Sequence, residues 1–225
     1  MGDTSMSDIE RRYTPGLVEL RSAKDRRSIG GYAAKFEKTS KNLGGFVEKI
    51  RAGTFNNSRG DGWPEVMARY NHDDNMLLGT TAAATLRLTV DEIGLDYTVD
   101  PPDSRADIVE LVARGDVTRS SFAFRVMPEG DEWGLNDLGI PQRTLLNVQL
   151  VDVAPVNVPA YPDTSSAMRS LAAFVQAPIE DIRALAAKAE LRKFFARTED
   201  GGAPKQTFGP QARIDMLARR ADPWT

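Results

Sequence analysis

The 225-residue chain is 41% hydrophobic and 27% charged with a formal net charge of −3, the balance of a globular protein folding in water. That charge provides no field for holding nucleic acid, and no apolar run is long enough to cross a bilayer, so neither nucleic acid nor membrane is expected as a partner. The absence of cysteine excludes disulfides, a thiol nucleophile and a thiolate metal site, and a single histidine, His72, argues against a His-based zinc site; no metal or cofactor is expected.

In chain order, residues 1–15 are polar, lack the apolar core of a signal peptide, and read as a flexible arm. Residues 17–20 and 28–36 read as strands, with Gly30 and Gly31 marking a bulge or a close backbone approach in the second. Turn chemistry at 39–45 is followed by an extended stretch, 46–50. Residues 51–62 form a Gly/Asn/Ser-rich loop with room for one helical turn near 54–57. A short apolar strand, 65–70, runs directly into Asn71, His72, Asp73 and Asp74, which puts the histidine at a strand end. Alternating stretches at 77–81, 84–90 and 94–99 follow, the last two joined by a tight turn at 91–94. Pro101 and Pro102 then stop the sheet. Asp103 or Ser104 can cap a helix with Ile108, Leu111 and Val112 on its apolar face, and Gly115 lies just past its end.

A strand over 117–126 carries Ser120 and Ser121. Residues 127–143 are a polar excursion, a hairpin tip or mobile loop, and 144–158 have the composition of a buried strand carrying one acid, Asp152. Seven or more short strands with inserted helices predict a mainly β, α+β domain built as a closed or nearly closed β-barrel. After Pro162 the pattern turns helical, to about Phe174 and again from Pro178. The stretch 200–204 is a Gly/Pro break before a last helical stretch at 212–220. The expected organisation is an arm (1–15), a β-barrel domain (16–165) and a helical C-terminal extension (166–225).

Serine needs a base to take its proton, and His72 is the one side chain whose ordinary pKa lies near neutrality, so a Ser–His pairing points to acyl-transfer chemistry. Adjacent strand residues face opposite sides, so only one of Ser120 and Ser121 can meet the histidine. Asp152 sits in so apolar a run that its carboxylate needs a donor, either the His72 imidazole or an arginine such as Arg125 or Arg143. Asp73 and Asp74 offer an acid pair at what reads as a solvated turn.

Several short motifs occur in a family's order: Gly31-Tyr-Ala33, Gly45-Phe-x-Glu48-x-Ile50, Gly53-x-Phe55, Asn71-His72-Asp73, Leu78-Gly79-Thr80 and Gly94-Leu95. They continue with Arg114-Gly-Asp-Val117, Ser121-Phe-Ala-Phe124 and Leu150-x-Asp-Val-x-x-Val-x-x-Pro-Ala-Tyr-Pro162. Over about residues 28–165 the chain resembles the prohead proteases of HK97-like tailed phages. The resemblance implies a fold like that of the herpesvirus assembly proteases. It also implies a serine endopeptidase that cuts the major capsid protein and its scaffold segment, and itself, inside the assembling procapsid in the host bacterial cytoplasm. A homodimer or higher oligomer is left open. Carried over by position, the family's histidine falls on His72, its serine on Ser121 and its acid on Asp152, an aspartate where glutamate is common. A catalytically inactive β-barrel capsid-assembly or scaffold protein is the alternative that keeps the same fold.

Overall fold

The computed structural model describes residues 8–14, 18–23, 26–157 and 164–196. In chain order the strands are β1 (Glu10–Thr14), β2 (Glu19–Ala23), β3 (Arg26–Lys35), β4 (Val47–Ile50), β5 (Met67–Arg69) and β6 (Leu77–Thr80). They continue with β7 (Leu86–Val90), β8 (Gly94–Val99), β9 (Arg119–Val126), β10 (Asp131–Leu135), β11 (Pro141–Leu145) and β12 (Val148–Val156). The helices are α1 (Asn56–Gly60), α2 (Ala106–Arg114), α3 (Ser165–Val175), α4 (Ile179–Ala187) and α5 (Lys193–Ala196). The chain divides into two compact units after Arg192; α5 belongs to the second, and every other element to the first. The 158–163 segment, the break at 200–204 and the helix expected at 212–220 lie outside the described residues.

The strands form three open sheets, ordered β1-β9-β12-β5-β6, β2-β3-β8-β7 and β10-β11-β4. The mainly β character expected from the sequence is present, but the closed or nearly closed barrel is not. Closure needs an unbroken ladder. At one edge of the five-stranded sheet, β1 meets β3 through a side chain, Thr14 Oγ1 donating to the Ala33 carbonyl at 2.7 Å. At the other edge, the Thr80 amide is taken by Thr85 Oγ1 (3.0 Å) rather than by a further strand. Register shifts at Tyr32/Ala34, Ala68/Arg69 and Leu150/Asp152 break the ladders again. Alternating apolar and polar residues serve stacked open sheets as well as a barrel, so the strand pattern could not distinguish them.

One apolar cluster joins the five- and four-stranded sheets, with Ile29, Ala33, Tyr97, Val99, Phe122, Phe124, Leu150 and Val153 among its buried members. Phe122 stacks on Phe124 at 5.0 Å between centroids and meets Phe55 edge-on at 5.8 Å. Glycine is required at two contacts in the four-stranded sheet. A Cβ on Gly30 would lie 2.7 Å from the Tyr97 carbonyl, and one on Gly94 would lie 1.9 Å from the Ala34 carbonyl. Helix α2 lies against β2 and β3, burying Ile108, Val109 and Val112. It ends on Gly115 in the left-handed region (φ 83°), as its sequence signals, and Asp103–Arg105 form a 3-10 turn ahead of it with no side-chain cap.

Two segments are more ordered than their polarity suggests. Residues 10–14, expected within an arm, form the edge strand β1, because their charges are matched inside the protein. Arg12 Nε donates to Glu48 Oε1 (2.7 Å), and Arg143 Nη1 donates to Glu10 Oε2 (2.8 Å). Arg143 Nε reaches Asp131 Oδ2 at 2.6 Å. The polar 127–143 excursion is likewise a β-hairpin, β10 with β11, closed by Asn136. Its Trp133 donates to Ser170 of α3 at 3.0 Å.

Candidate active site

The order of the five-stranded sheet assembles the site. Strand β12 lies between β9, antiparallel, and β5, parallel. Register pairs Asp152 with Met67 on one side and Ala123 on the other, and Ala154 with Ser121. A β-bulge immediately precedes Asp152, a device that re-aims a side chain within a strand. Ser121 is fixed by its neighbours in Ser-Phe-Ala-Phe. Phe122 and Phe124 enter the core from one face of β9, so Ser121 and Ala123 take the other.

His72 arrives from β5 through a 3-10 turn, Tyr70–His72, in which Asn71 and His72 both have positive φ (55° and 58°). Two such residues in succession cost about 1–3 kcal/mol each and persist where the surroundings hold them. Here Asn71 Oδ1 accepts from the Asn157 amide at 3.1 Å, tying the turn to the end of β12. Asp73 Oδ1 accepts from the Asn75 amide at 2.8 Å, and the Asp73 amide donates to the Tyr70 carbonyl at 3.1 Å. The Asn-His-Asp motif thus divides its work. Asn71 and Asp73 build the turn, and His72 is the side chain it presents.

His72 Nδ1 lies 2.6 Å from Asp152 Oδ1, and His72 Nε2 lies 2.7 Å from Ser121 Oγ. A carboxylate accepts only, so Nδ1 carries the hydrogen and the Nε2 lone pair faces the hydroxyl. Ser121 Oγ also lies 2.9 Å from the Arg12 carbonyl, and its one proton can go to either acceptor. Donation to Nε2 is the orientation that activates the oxygen. The group is nearly sealed: Ser121 is 4% exposed and Asp152 0%. Low local dielectric strengthens each of these contacts.

Arg69, absent from the sequence reading of the site, completes it. Its Nε donates to Asp152 Oδ2 at 2.7 Å, Nη2 contacts the same oxygen, and Nη1 pairs with Asp74. Burial by itself pushes the Asp152 carboxyl up. The hydrogen bond and charge of His72, then those of Arg69, outweigh it and hold the group below the ordinary carboxylate value. The only trace of this in the sequence is an arginine inside a short apolar strand. Its partner lies across a parallel pairing 83 residues away.

The other candidates lie elsewhere. Ser120 faces the core, its Oγ 3.3 Å from the Tyr97 hydroxyl. Arg143 belongs to the Glu10–Glu48–Asp131 network, and Arg125 stands opposite Gln149, so the arginine that bridges Asp152 is neither of the two expected. Asp73 and Asp74 are separately engaged, in the turn and with Arg69. Among the described residues no group of three or more His, Asp or Glu is placed to hold a metal ion.

A hydroxyl, an imidazole and a carboxylate in hydrogen-bonded series on neighbouring strands are the parts of a serine-hydrolase site. The chain matches the family model of the caudovirus prohead serine proteases over residues 17–176 and belongs to that family, which makes it a serine peptidase of phage capsid maturation. No curated protein and no solved structure matches it, so the expected likeness to herpesvirus assembly proteases has no structural match to rest on.

Proposed function

We propose that Ser121, His72 and Asp152 are the catalytic triad of an endopeptidase that cleaves the major capsid protein, its scaffold segment and its own chain within the assembling procapsid. The observation that carries the reading is the unbroken series from Asp152 Oδ1 through the imidazole to Ser121 Oγ, at 2.6 and 2.7 Å. His72, neutral at the start, takes the Ser121 proton as Oγ attacks a peptide carbonyl, then gives it to the leaving amine. Asp152 holds the tautomer and stabilises the imidazolium. Water activated by the same imidazole releases the acyl group. Residues 16–165 carry this chemistry with 166–192 in the same compact unit, and self-cleavage of the C-terminal extension is directed at sites beyond Arg192, where that unit ends.

The test is coexpression of the chain, as wild type and Ser121→Ala, with the capsid protein of the same phage, followed by intact mass of both proteins. Wild type is expected to shorten the capsid protein and Ser121→Ala to leave it whole. Equal processing by both would refute the assignment. Labelling of wild type by diisopropyl fluorophosphate at Ser121 gives an independent reading.

A further inference from the structure

We infer that Arg69 is a positioning residue for this reaction, acting through Asp152; the inference rests on the Ser121–His72–Asp152 reading. The two oxygens of Asp152 are divided. Oδ1 faces His72 Nδ1 at 2.6 Å, and Oδ2 receives the Arg69 fork, with Nε at 2.7 Å. The terminal torsion of an aspartate is broad, so one hydrogen bond to the imidazole does not set the plane of the carboxylate. Two donors from a planar guanidinium on the second oxygen do set it, and with it the position of Oδ1. Arg69 is itself held, its side chain 12% exposed and its Nη1 paired with the exposed Asp74. The register of β5 on β12, Met67 against Asp152, brings the guanidinium to the far side of the carboxylate from His72.

The charges alternate along one row. In the resting state Asp74⁻, Arg69⁺ and Asp152⁻ stand beside a neutral imidazole. When His72 takes the Ser121 proton the row becomes −, +, −, + and sums to zero. Arg69 therefore keeps a fully buried carboxylate ionised, and Asp74 offsets part of the charge that would oppose the imidazolium. Asp152 needs both properties, ionisation and a fixed plane, to hold His72 in the Nδ1–H tautomer.

The test compares Arg69→Gln, Arg69→Lys, Asp152→Asn and the double variant Arg69→Gln/Asp152→Asn in the full chain. The probe is the rate of inactivation by diisopropyl fluorophosphate, which reads the nucleophile without a known peptide substrate. Because His72 is the only histidine, ¹⁵N-histidine labelling gives one imidazole spin system and reports its tautomer directly. Arg69→Gln is expected to lower the inactivation rate about 10–100-fold, the size found when the partner orienting a metal-bound histidine or carboxylate is removed, and to mix the tautomers. Arg69→Lys should recover part of the rate by restoring the charge. In the Asp152→Asn background, Arg69→Gln should cause no further loss and should raise the rate, because the amide oxygen is then free to turn to Nδ1.

The inference is overturned if folded Arg69→Gln reacts within about twofold of wild type with an unchanged His72 spectrum. Equal losses in both backgrounds would also overturn it, since Arg69 would then serve the fold alone. Should Arg69→Gln fail to fold, Arg69→Lys and the double variant, which leaves neither buried charge unpaired, decide the matter by the same rates and spectra. A wild type that is not labelled at Ser121 removes the triad reading. The tautomer comparison then judges Arg69 separately, and a single Nδ1–H tautomer kept in Arg69→Gln refutes positioning.

Discussion

Replacing Asp152 by asparagine changes one atom type, and the structure says which way the amide will turn. Asparagine offers one oxygen and one NH₂ where aspartate offered two acceptors. If its oxygen faces His72, its NH₂ meets the Arg69 donors now on Oδ2, and donor faces donor. If its oxygen faces Arg69, it accepts two charge-assisted bonds and its NH₂ points at His72 Nδ1. The second arrangement wins, since bonds to a charged group are worth about 1.5–3 kcal/mol each against about 1 for a neutral one. His72 Nδ1 must then accept, the hydrogen moves to Nε2, and Nε2 has no lone pair for the Ser121 proton. The expected loss in kcat is about 10⁴-fold, roughly 5.5 kcal/mol in the barrier, the size seen when a buried triad aspartate becomes asparagine in the chymotrypsin template. Stability should fall by about 3 kcal/mol, the low end for a broken buried pair, because Arg69 keeps Asp74. Cleavage kinetics on a capsid-protein peptide, thermal melts and the ¹⁵N spectrum of His72 measure the three effects on one preparation. An asparagine variant that keeps more than a tenth of wild-type kcat, or loses activity while His72 stays Nδ1–H, would refute the reasoning.

Three further outcomes follow from the same geometry. Ser121→Ala should abolish cleavage of the capsid protein, whereas Ser120→Ala, which removes only the 3.3 Å contact with Tyr97, should keep most of it; reversed phenotypes in the same assay would exchange the two roles. Asp152 is held below its ordinary value, so its ionisation stabilises the fold above the unfolded-chain value of about 3.9, and this contribution is lost as pH falls through the lower folded value. The melting-temperature gap between wild type and Asp152→Asn should therefore narrow as pH falls from about 5 to about 2, and a gap unchanged over that range would contradict the assigned ion pairs. A chain ending at Arg192 should melt within a few degrees of full length. One ending at residue 165 loses Leu171 of α3 and Ile182 of α4, both fully buried, at about 1.5–3 kcal/mol each, and the Trp133–Ser170 bond, so calorimetry that finds it equally stable would refute a packed role for these two helices.

Local chemistry made much of this protein legible from residues alone. The sequence put His72 at a strand end, and the turn the structure finds there is local too, because asparagine tolerates positive φ and aspartate closes an Asx turn. Strand alternation limited the partner of His72 to one of Ser120 and Ser121, and the family resemblance of Ser121-Phe-Ala-Phe124 implied which. Gly115 ends α2 for the same kind of local reason. Tertiary structure alone decided what depends on pairing between distant segments. The parallel register of β5 on β12 carried Arg69 to Asp152, and no local pattern encodes a register between strands 83 residues apart. Residues 10–14 became a strand because Glu48 and Arg143 offered their charges partners inside the protein, and a polar sequence does not reveal its partners. Whether the strands close was settled at the edges, where Thr14 and Thr85 side chains take the backbone groups that a barrel would have joined strand to strand.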